Sequence, residues 1–408
     1  MRILVISQYY WPENFRINDL TEGLVKRGHQ VTVLTGIPNY PAGSIFSDYA
    51  YEPKKYNNYN GVDIIRVPII PRGKSGFQLV LNYLSFVISS TIIGLYKLKQ
   101  KNFDSIFVFE PSPVIVGLPA IAFRYFKKAP LIFWVLDLWP DTLEAVGVLR
   151  SKNILRLVGV LVSYIYKRCD LILGQSKSFI PHIRKYAGHN RVDYFPGWAE
   201  SIFSVDQFRP PKIRSNSAKF NIVFAGNVGV SQDFPAVLKA MEQLKDDEKI
   251  GWTIVGDGRM SDWLETEVSK RGLNKNVRLA GRHPMDKMPG FFQDADALLV
   301  SLKDEPIFSM TIPGKLQAYL VTGKPILTLL NGEGANLIKE SGCGIACDAG
   351  DWQCLVKSVQ KLSQMNFQER DAMGRKGLLL TETEFDRDKL ISKLEKWMQE
   401  LASGQEDY

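Results

Sequence analysis

The chain has 408 residues, of which 45% are hydrophobic and 23% charged, a composition that predicts two folded domains and excludes a disordered chain. Its net charge of +8 predicts an acidic partner, and because no nucleic-acid-binding motif is present we expect lipid or a phosphorylated ligand. Four scattered cysteines without CxxC spacing predict incidental thiols in a reducing compartment and no zinc site.

The first half of the chain alternates short apolar runs with helical patterns. The amino terminus is read as a strand that begins the fold, since it is too short and too soon polar for a signal peptide. The predicted strands are 2–7, 30–35, 62–69, 104–110, 130–137 and 170–174, and the predicted helices are 16–28, 76–100, 113–126 and 152–168. Runs this short and apolar are typical of parallel strands buried on both faces. Right-handed crossovers then predict a doubly wound sheet.

One predicted helix contains an uncharged stretch long enough to cross a bilayer. The stretch is FQLVLNYLSFVISSTIIGLY, residues 77–96, and Lys or Arg residues flank it at 72, 74, 97, 99 and 101. Its polar residues, Gln78 and Asn82 among them, favour a helix packed on the sheet whose outer face touches a membrane. A true membrane span is the alternative.

The second half repeats the alternation after a segment rich in Pro, Ser and Asn at 203–219, which predicts a linker. Further strands are predicted at 220–226, 251–256, 277–281, 296–302 and 325–330. The fold class is therefore α/β, with a Rossmann-like domain at 1–205 and a second at 206–385. A final helix within 386–408 could cross back to the first domain. Ligands of such sheets bind at the carboxyl ends of the strands, so we expect a cleft between the domains to hold the site.

Glycine-rich loops follow the strands of the second half. Gly226, Asn227 and Gly229 follow the first strand, and further Gly turns follow the next two. Lys315 opens a later helix, and Gly332 and Gly334 flank Glu333 in another turn. Backbone N–H groups in such turns, together with an ammonium group, suit an anionic ligand such as a phosphate.

The order of these motifs resembles a known enzyme family. GNxG, VGDG, GR-P and the P-x-K-x-x-x-Y-x-x-x-GKP pattern of residues 313–325 resemble the nucleotide-sugar domain of family-4 glycosyltransferases with the GT-B fold. The first half agrees through SQYYWPE, RGHQVTVLTG, PNYPAG and DLWPD. Within bacteria, the pattern is most similar to N-acetyl-L-fucosamine (L-fucosamine) transferases of O-antigen and capsule synthesis.

The resemblance implies a donor-binding set in the second domain. Lys315 would approach the donor diphosphate, and Arg282 would lie beside the nucleobase or the diphosphate. The Gly226–Gly229 turn, with Asn227, would approach the phosphates or the sugar, and Glu333 with Gly334 would lie against the sugar or the ribose. The family usually has two carboxylates where this chain has Met310 and Ala318. We therefore expect another group to hold the ribose, with Glu333 and Gln317 as candidates.

The resemblance also implies catalytic and acceptor-side residues in the first domain. Glu13 is a candidate general base, and Asp137 and Asp141 are further catalytic candidates, although Asp141 could simply favour a helix start. Asn14, Arg16 and Tyr40 would lie on the acceptor side. Many relatives have a His-Asp pair where this chain has Leu136-Asp137. His29 is predicted to be structural.

The implied activity is transfer of a sugar from a UDP-sugar to a polyprenyl-diphosphate-linked saccharide. The implied sugar is N-acetyl-L-fucosamine, and the process is bacterial O-antigen or capsule synthesis. We expect no cofactor, no metal and no nucleic-acid partner. We also expect a cytoplasmic protein in peripheral contact with the anionic surface of the inner membrane. Retention and inversion of the anomeric configuration both stay open. The alternatives are a UDP-sugar 2-epimerase and a non-catalytic, membrane-associated protein that binds nucleotide sugars.

Overall fold

The computed structural model describes residues 1–404 except 74, 146, 148, 150, 189–190 and 209–218. The chain divides into two compact units, of which the first comprises Met1–Phe195 and Asp388–Tyr408 and the second Pro196–Arg387. The division thus falls after residue 195, earlier than the predicted 205. Phe203 and Phe208 belong to the core of the second unit, which explains the earlier division. Most of the predicted linker, 203–219, lies outside the described residues.

The described strands and helices alternate along most of the chain. The strands are β1 (Arg2–Ile6), β2 (Gln30–Gly36), β3 (Asn58–Tyr59), β4 (Val62–Val67), β5 (Ser105–Glu110), β6 (Leu131–Val135), β7 (Leu171–Gly174), β8 (Arg191–Tyr194), β9 (Phe220–Ala225), β10 (Ile250–Val255), β11 (Val277–Gly281), β12 (Ala297–Ser301), β13 (Ile326–Leu329) and β14 (Gly344–Cys347). The helices are α1 (Arg16–Lys26), α2 (Ser47–Tyr51), α3 (Gly76–Ser89), α4 (Leu95–Lys97), α5 (Gly117–Lys127), α6 (Asp141–Ala145), α7 (Lys152–Tyr166), α8 (Phe179–Ala187), α9 (Phe234–Gln243), α10 (Ser261–Lys270), α11 (Met288–Gln293), α12 (Pro306–Ser309), α13 (Gly314–Leu320), α14 (Glu333–Ser341), α15 (Trp352–Gln364), α16 (Phe367–Glu382) and α17 (Arg387–Ser403).

The first unit is built on an eight-stranded sheet with the order β3-β4-β2-β1-β5-β6-β7-β8. All neighbours are parallel except β3 and β4. The central strands are buried along their whole length, as their continuous apolar sequences predict. Helix α17 belongs to this unit, where Glu395 contacts His29 at 2.6 Å and the Trp397 ring packs on Phe195. His29 therefore has the predicted structural role.

The second unit is built on a six-stranded, wholly parallel sheet with the order β11-β10-β9-β12-β13-β14. The strand order reverses beside β9, because the chain passes from β11 at one edge to β12 on the other side of β9. Such a reversal opens a crevice at the carboxyl ends of the strands, where ligands of these sheets bind. The prediction of two doubly wound α/β units is confirmed.

The prediction for the cysteines is wrong for one pair. Cys347 ends β14 and Cys354 lies in the first turn of α15, and the two form a disulfide. Asp351 caps that helix by accepting a hydrogen bond from the Cys354 N–H. The disulfide thus closes the short connection between β14 and α15, with the two cysteines seven positions apart. Cys169 and Cys343 are free and buried.

Candidate active site

Two glycine loops cross at the carboxyl edge of the second sheet. Gly226 follows β9 with φ of 142°, and Gly256 follows β10 with φ of 139°. The Gly226 N–H donates to the Val255 carbonyl at 2.9 Å, and a Cβ atom built on Gly256 would lie 1.8 Å from the Gly226 oxygen. Because any side chain at 256 would collide with backbone, this crossing requires glycine. Asn227 is exposed at the tip, and its side chain covers Gly229.

Lys315 lies directly beside this crossing. It is in the first turn of α13, and its Nζ is 3.7 Å from the centre of the Phe224 ring and 3.0 Å from where a Gly226 Cβ would lie. The Nζ is buried and has no hydrogen-bond partner among the described residues. Burial lowers the pKa of Lys315 from its usual 10.5 to about 7. A buried cation without a partner is costly, so an anion beside it would be strongly favoured.

A third loop packs against the segment that leads into α13. Gly332 follows β13 with φ of 72°, and a Cβ there would lie 1.9 Å from the Ser309 oxygen. Gly334 packs against Pro313, and Glu333 is the half-buried first residue of α14. The structure thus brings the predicted Lys315 and Gly226 together, and it connects Gly332 and Gly334 to the same helix.

Arg282 is placed apart from this cluster. It follows β11, the edge strand, which β10 separates from β9, and its side chain is exposed. The two ribose candidates also differ: Gln317 is 1% exposed, whereas Glu333 is only half-buried. Ala318 is buried as well. Glu333 is therefore the candidate that a ligand at this edge could reach without repacking α13.

In the first unit, Glu13 joins two loops at the carboxyl edge of the sheet. One carboxylate oxygen accepts N–H bonds from Asn39 and Tyr40 at 2.8 and 2.7 Å, and the other accepts from the Tyr10 N–H at 3.2 Å. Burial raises the pKa of Glu13 to about 7, although these N–H donors act against the increase. The side chain is 2% exposed. This geometry braces the loops, and the role of Glu13 as a general base stays a prediction.

The predicted acceptor-side residues differ in how they are placed around Glu13. Tyr40 contributes its backbone to Glu13, and its ring lies 5.3 Å from the guanidinium of Arg72. Arg72 also donates to the Tyr9 hydroxyl at 2.9 Å. Asn14 is exposed, and Arg16 is the first residue of α1.

Asp137 lies beside a buried carboxyl group that the sequence analysis missed. The Asp137 N–H donates to Oε2 of Glu110 at 3.4 Å, where β5 ends. Glu110 is fully buried, and its Oε1 has no partner within the described ranges. Burial, and then the nearby Asp137, raise the pKa of Glu110 well above its usual value, and burial raises the pKa of Asp137 to about 7. Two adjacent carboxyl groups that retain protons near neutral pH can accept or donate a proton during catalysis.

Asp141 pairs with a histidine from another helix. Nε2 of His182 on α8 lies 2.9 Å from the Asp141 carboxylate at the start of α6. The hydrogen bond to His182 holds the pKa of Asp141 below its usual value. The chain thus has a His-Asp pair at this edge, formed by His182 and Asp141 and not at Leu136-Asp137, where the sequence analysis noted that the histidine is missing. The three predicted catalytic carboxylates therefore lie in three separate hydrogen-bonding environments.

Three side chains were missed by the sequence analysis: Glu110, His182 and Arg72. Glu110 was read as the end of a strand, and Arg72 only as a basic flank. His182 lies in a helix with no motif of its own. Only the position of Glu110, at the carboxyl end of a central strand, could have indicated a site residue. No group of three or more metal-ligating side chains occurs in the described part of the chain, and metal independence stays a prediction.

Comparison with known proteins assigns the fold and the reaction class. Residues 205–378 match the family model of group 1 glycosyl transferases. The chain is 25% identical over 347 residues to WcaI of Escherichia coli K12, which is named for colanic acid biosynthesis, covering 79% of this chain and 82% of WcaI. The chain is a glycosyltransferase with the GT-B fold. The matched residues lie in the second unit, and the match favours transfer over epimerase and non-catalytic functions.

Solved structures of low sequence identity support the same fold. HepE from Anabaena, solved with UDP and glucose, aligns with a TM-score of 0.69 at 14% identity over 98% of this chain and 100% of HepE. WaaG, a glycosyltransferase involved in lipopolysaccharide biosynthesis, aligns with a TM-score of 0.66 at 15% identity over 97% of this chain and 99% of WaaG.

Proposed function

We propose that this glycosyltransferase belongs to family 4 and moves N-acetyl-L-fucosamine from a UDP-sugar to a lipid-linked saccharide. The acceptor would be a polyprenyl-diphosphate-linked saccharide of bacterial O-antigen or capsule synthesis. The observation that carries a UDP-sugar donor is the buried Nζ of Lys315, which lies without a partner beside the Gly226–Gly256 crossing. The names of WcaI and WaaG support a role in surface polysaccharide synthesis, and the ligands of HepE support a UDP-sugar.

The proposed reaction uses the two units for different tasks. The bond from the anomeric carbon to the UDP oxygen breaks, and a bond from the acceptor hydroxyl oxygen to that carbon forms. Lys315 would stabilise the charge that develops on the departing diphosphate, an electrostatic contribution that is large in a water-poor site. The acceptor hydroxyl would lose its proton to a carboxylate of the first unit, with Asp137, Asp141 and Glu13 as the candidates.

We place the protein at the cytoplasmic face of the inner membrane, in peripheral contact with anionic lipid. The support is helix Gly76–Lys97, which is long and apolar enough to cross a membrane by length and composition, with a mean hydropathy of 1.7. The enzyme would bind its lipid-linked acceptor at this membrane surface.

The test is release of UDP from a panel of UDP-sugars, including UDP-N-acetyl-L-fucosamine, with and without a polyprenyl-diphosphate saccharide. Wild type is compared with Lys315→Ala and with Lys339→Ala, a half-exposed lysine on α14. We expect acceptor-dependent release with one preferred donor, lost in Lys315→Ala and retained in Lys339→Ala. Mass spectrometry of the lipid product identifies the sugar. No release from any donor would refute the proposal.

A further inference from the structure

The helix that follows Arg72 exposes a continuous row of large apolar side chains. The row extends from α3 through a π-helical turn at Ser90–Gly94 into α4. Its members recur every three or four residues, which places them on one side of the helix: Phe77, Val80, Leu84, Ile88, Ile92 and Tyr96. An apolar row of this length on the outside of a folded unit indicates a contact surface.

The opposite side of this helix is fixed to the first unit. Asn82 is fully buried, accepts a hydrogen bond from Gln8 at 2.6 Å and donates to the Ile70 carbonyl at 2.6 Å. Gly94 packs on Leu34 of β2, where a Cβ would lie 2.9 Å from that side chain. Because crossing a bilayer would break these contacts, the helix can meet a membrane only with its outer side.

Two further helices extend the apolar surface, and neither was part of the segment identified from sequence. Helix α5 lies beside α3 and ends with exposed Tyr125 and Phe126. Helix α7 lies beside α5 and exposes another row: Ile154, Leu157, Val160 and Tyr164. Of the 17 large hydrophobic side chains exposed in the described residues, 12 lie on these helices. We call this surface the three-helix face.

The helices of the three-helix face carry charges of one sign, although Lys101 and Arg124 are ion-paired with Asp63 and Asp170 of neighbouring elements. Segments 76–103, 111–130 and 151–168 contain ten Lys and Arg residues and no Asp or Glu, although the chain has 43 acidic residues. The basic residues lie mainly at the helix ends, including Lys152 and Arg156 at the start of α7 and Lys167 and Arg168 after it. An apolar surface with a basic rim complements the headgroups and acyl boundary of an anionic bilayer.

We propose that the three-helix face is a membrane-docking surface that lies in the interface of an anionic bilayer, with α7 inserted alongside α3. The apolar rows would enter the acyl boundary, while the Lys and Arg side chains at the helix ends would contact lipid phosphates. The inference deepens the proposed function, on which it rests only for the identity of the lipid-linked acceptor. Membrane binding itself requires no turnover. A second copy of this chain is the competing occupant.

Flotation of the full-length protein with vesicles tests the proposal. The vesicles are phosphatidylcholine alone or phosphatidylcholine with 30% phosphatidylglycerol, at about 0.1 M and about 1 M NaCl. We expect binding to the anionic vesicles only, weakened by high salt. Leu157→Glu is the decisive variant, because it tests the contribution of α7, which lies outside the uncharged stretch at 77–96. Leu379→Glu is the matched control, since Leu379 on α16 is 61% exposed and Leu157 is 69% exposed.

Leu157→Glu should weaken vesicle binding at least tenfold, and Leu379→Glu should leave it unchanged. Circular dichroism and thermal unfolding establish that both variants fold. Equal binding by wild type and Leu157→Glu, or no binding to anionic vesicles, would overturn the proposal. A dimer in sedimentation velocity that Leu157→Glu dissociates, with no vesicle binding, would assign the face to self-association instead. Sugar transfer to a short-chain, water-soluble acceptor without vesicles tests the proposed function separately. If wild type shows no transfer in this assay, the proposed function fails, but the vesicle-binding result still stands.

Discussion

Replacement of Lys315 by methionine should stabilise the unliganded protein at low pH. Methionine retains the length of the side chain and removes the buried charge. The fold lowers the pKa of Lys315 from 10.5 to about 7, and a pKa difference of one corresponds to about 1.4 kcal/mol. The charged form therefore costs at most roughly 5 kcal/mol at pH 6, where both the folded and the unfolded chain carry the proton.

The sign of the pH dependence follows from the lowered pKa. Between pH 7 and pH 10.5 the unfolded chain binds more protons at Lys315 than the folded chain does, so the stability of wild type should rise with pH. The stability advantage of Lys315→Met should therefore be largest at pH 6 and fall below about 1 kcal/mol near pH 10. Urea unfolding at several pH values, followed by tryptophan fluorescence, measures the difference.

UDP should reverse the ranking of the two proteins. The diphosphate supplies the anion that Lys315 lacks, so UDP should raise the melting temperature of wild type much more than that of Lys315→Met. We expect at least a tenfold loss of UDP affinity in calorimetric titration. Lys339→Met is the control, because Lys339 is half exposed. A stability difference that stays constant from pH 6 to pH 10, or unchanged UDP affinity, would refute the assignment of Lys315 as a buried, unpaired cation beside the diphosphate.

Three further predictions concern the loops and the buried carboxyl groups. Gly256→Ala should unfold the loop crossing and abolish UDP binding, measured by calorimetry, whereas Gly290→Ala, where a Cβ meets open space, should not. Glu110→Gln should stabilise the protein increasingly as pH rises above 4.5, because the raised pKa of Glu110 makes wild type lose stability in that range; a difference independent of pH in urea unfolding would contradict this. Glu13→Gln should destabilise by about 1–3 kcal/mol, because its amide cannot accept all three N–H bonds; full stability with lost transfer activity would instead support a catalytic Glu13.

The features that follow from local sequence were predictable. Eleven of the fourteen described strands coincide with the short runs predicted from the sequence, and Gly226 and Gly256 follow such runs directly, so most of the parallel sheets and their loop edge could be derived from the order of residues. The sheet-edge strands β3, β8 and β14 were not predicted, because each has only two to four residues and β3 and β8 are largely polar. The position of Lys315 in the first turn of a helix was predictable from local sequence as well, because it follows a proline-glycine pair. These inferences need only the period of the pattern and the geometry of parallel strands.

The features that depend on neighbours distant in sequence were not predictable. Glu110 and Asp137 become neighbours because β5 pairs with β6, although 27 positions separate them. Asp141 meets His182 across 41 positions. Glu13 was predicted as a candidate general base, but its contacts with the loop after β2, which donates two N–H groups to its carboxylate, were not predicted. In each case the partner is chosen by the tertiary fold, and no local pattern encodes it.

The position of α17 has a consequence for how the chain is made. The first unit takes its sheet from residues up to 195 but its α17 from residues after 387, and the entire second unit is encoded between them. At translation rates of about 5–20 residues per second, the ribosome needs roughly 10–40 s to make that interval. During this time the surface around His29 and Phe195 stays uncovered, because α17 has not yet been synthesised. The second unit can therefore finish folding before the first, which reverses the order in which the two begin.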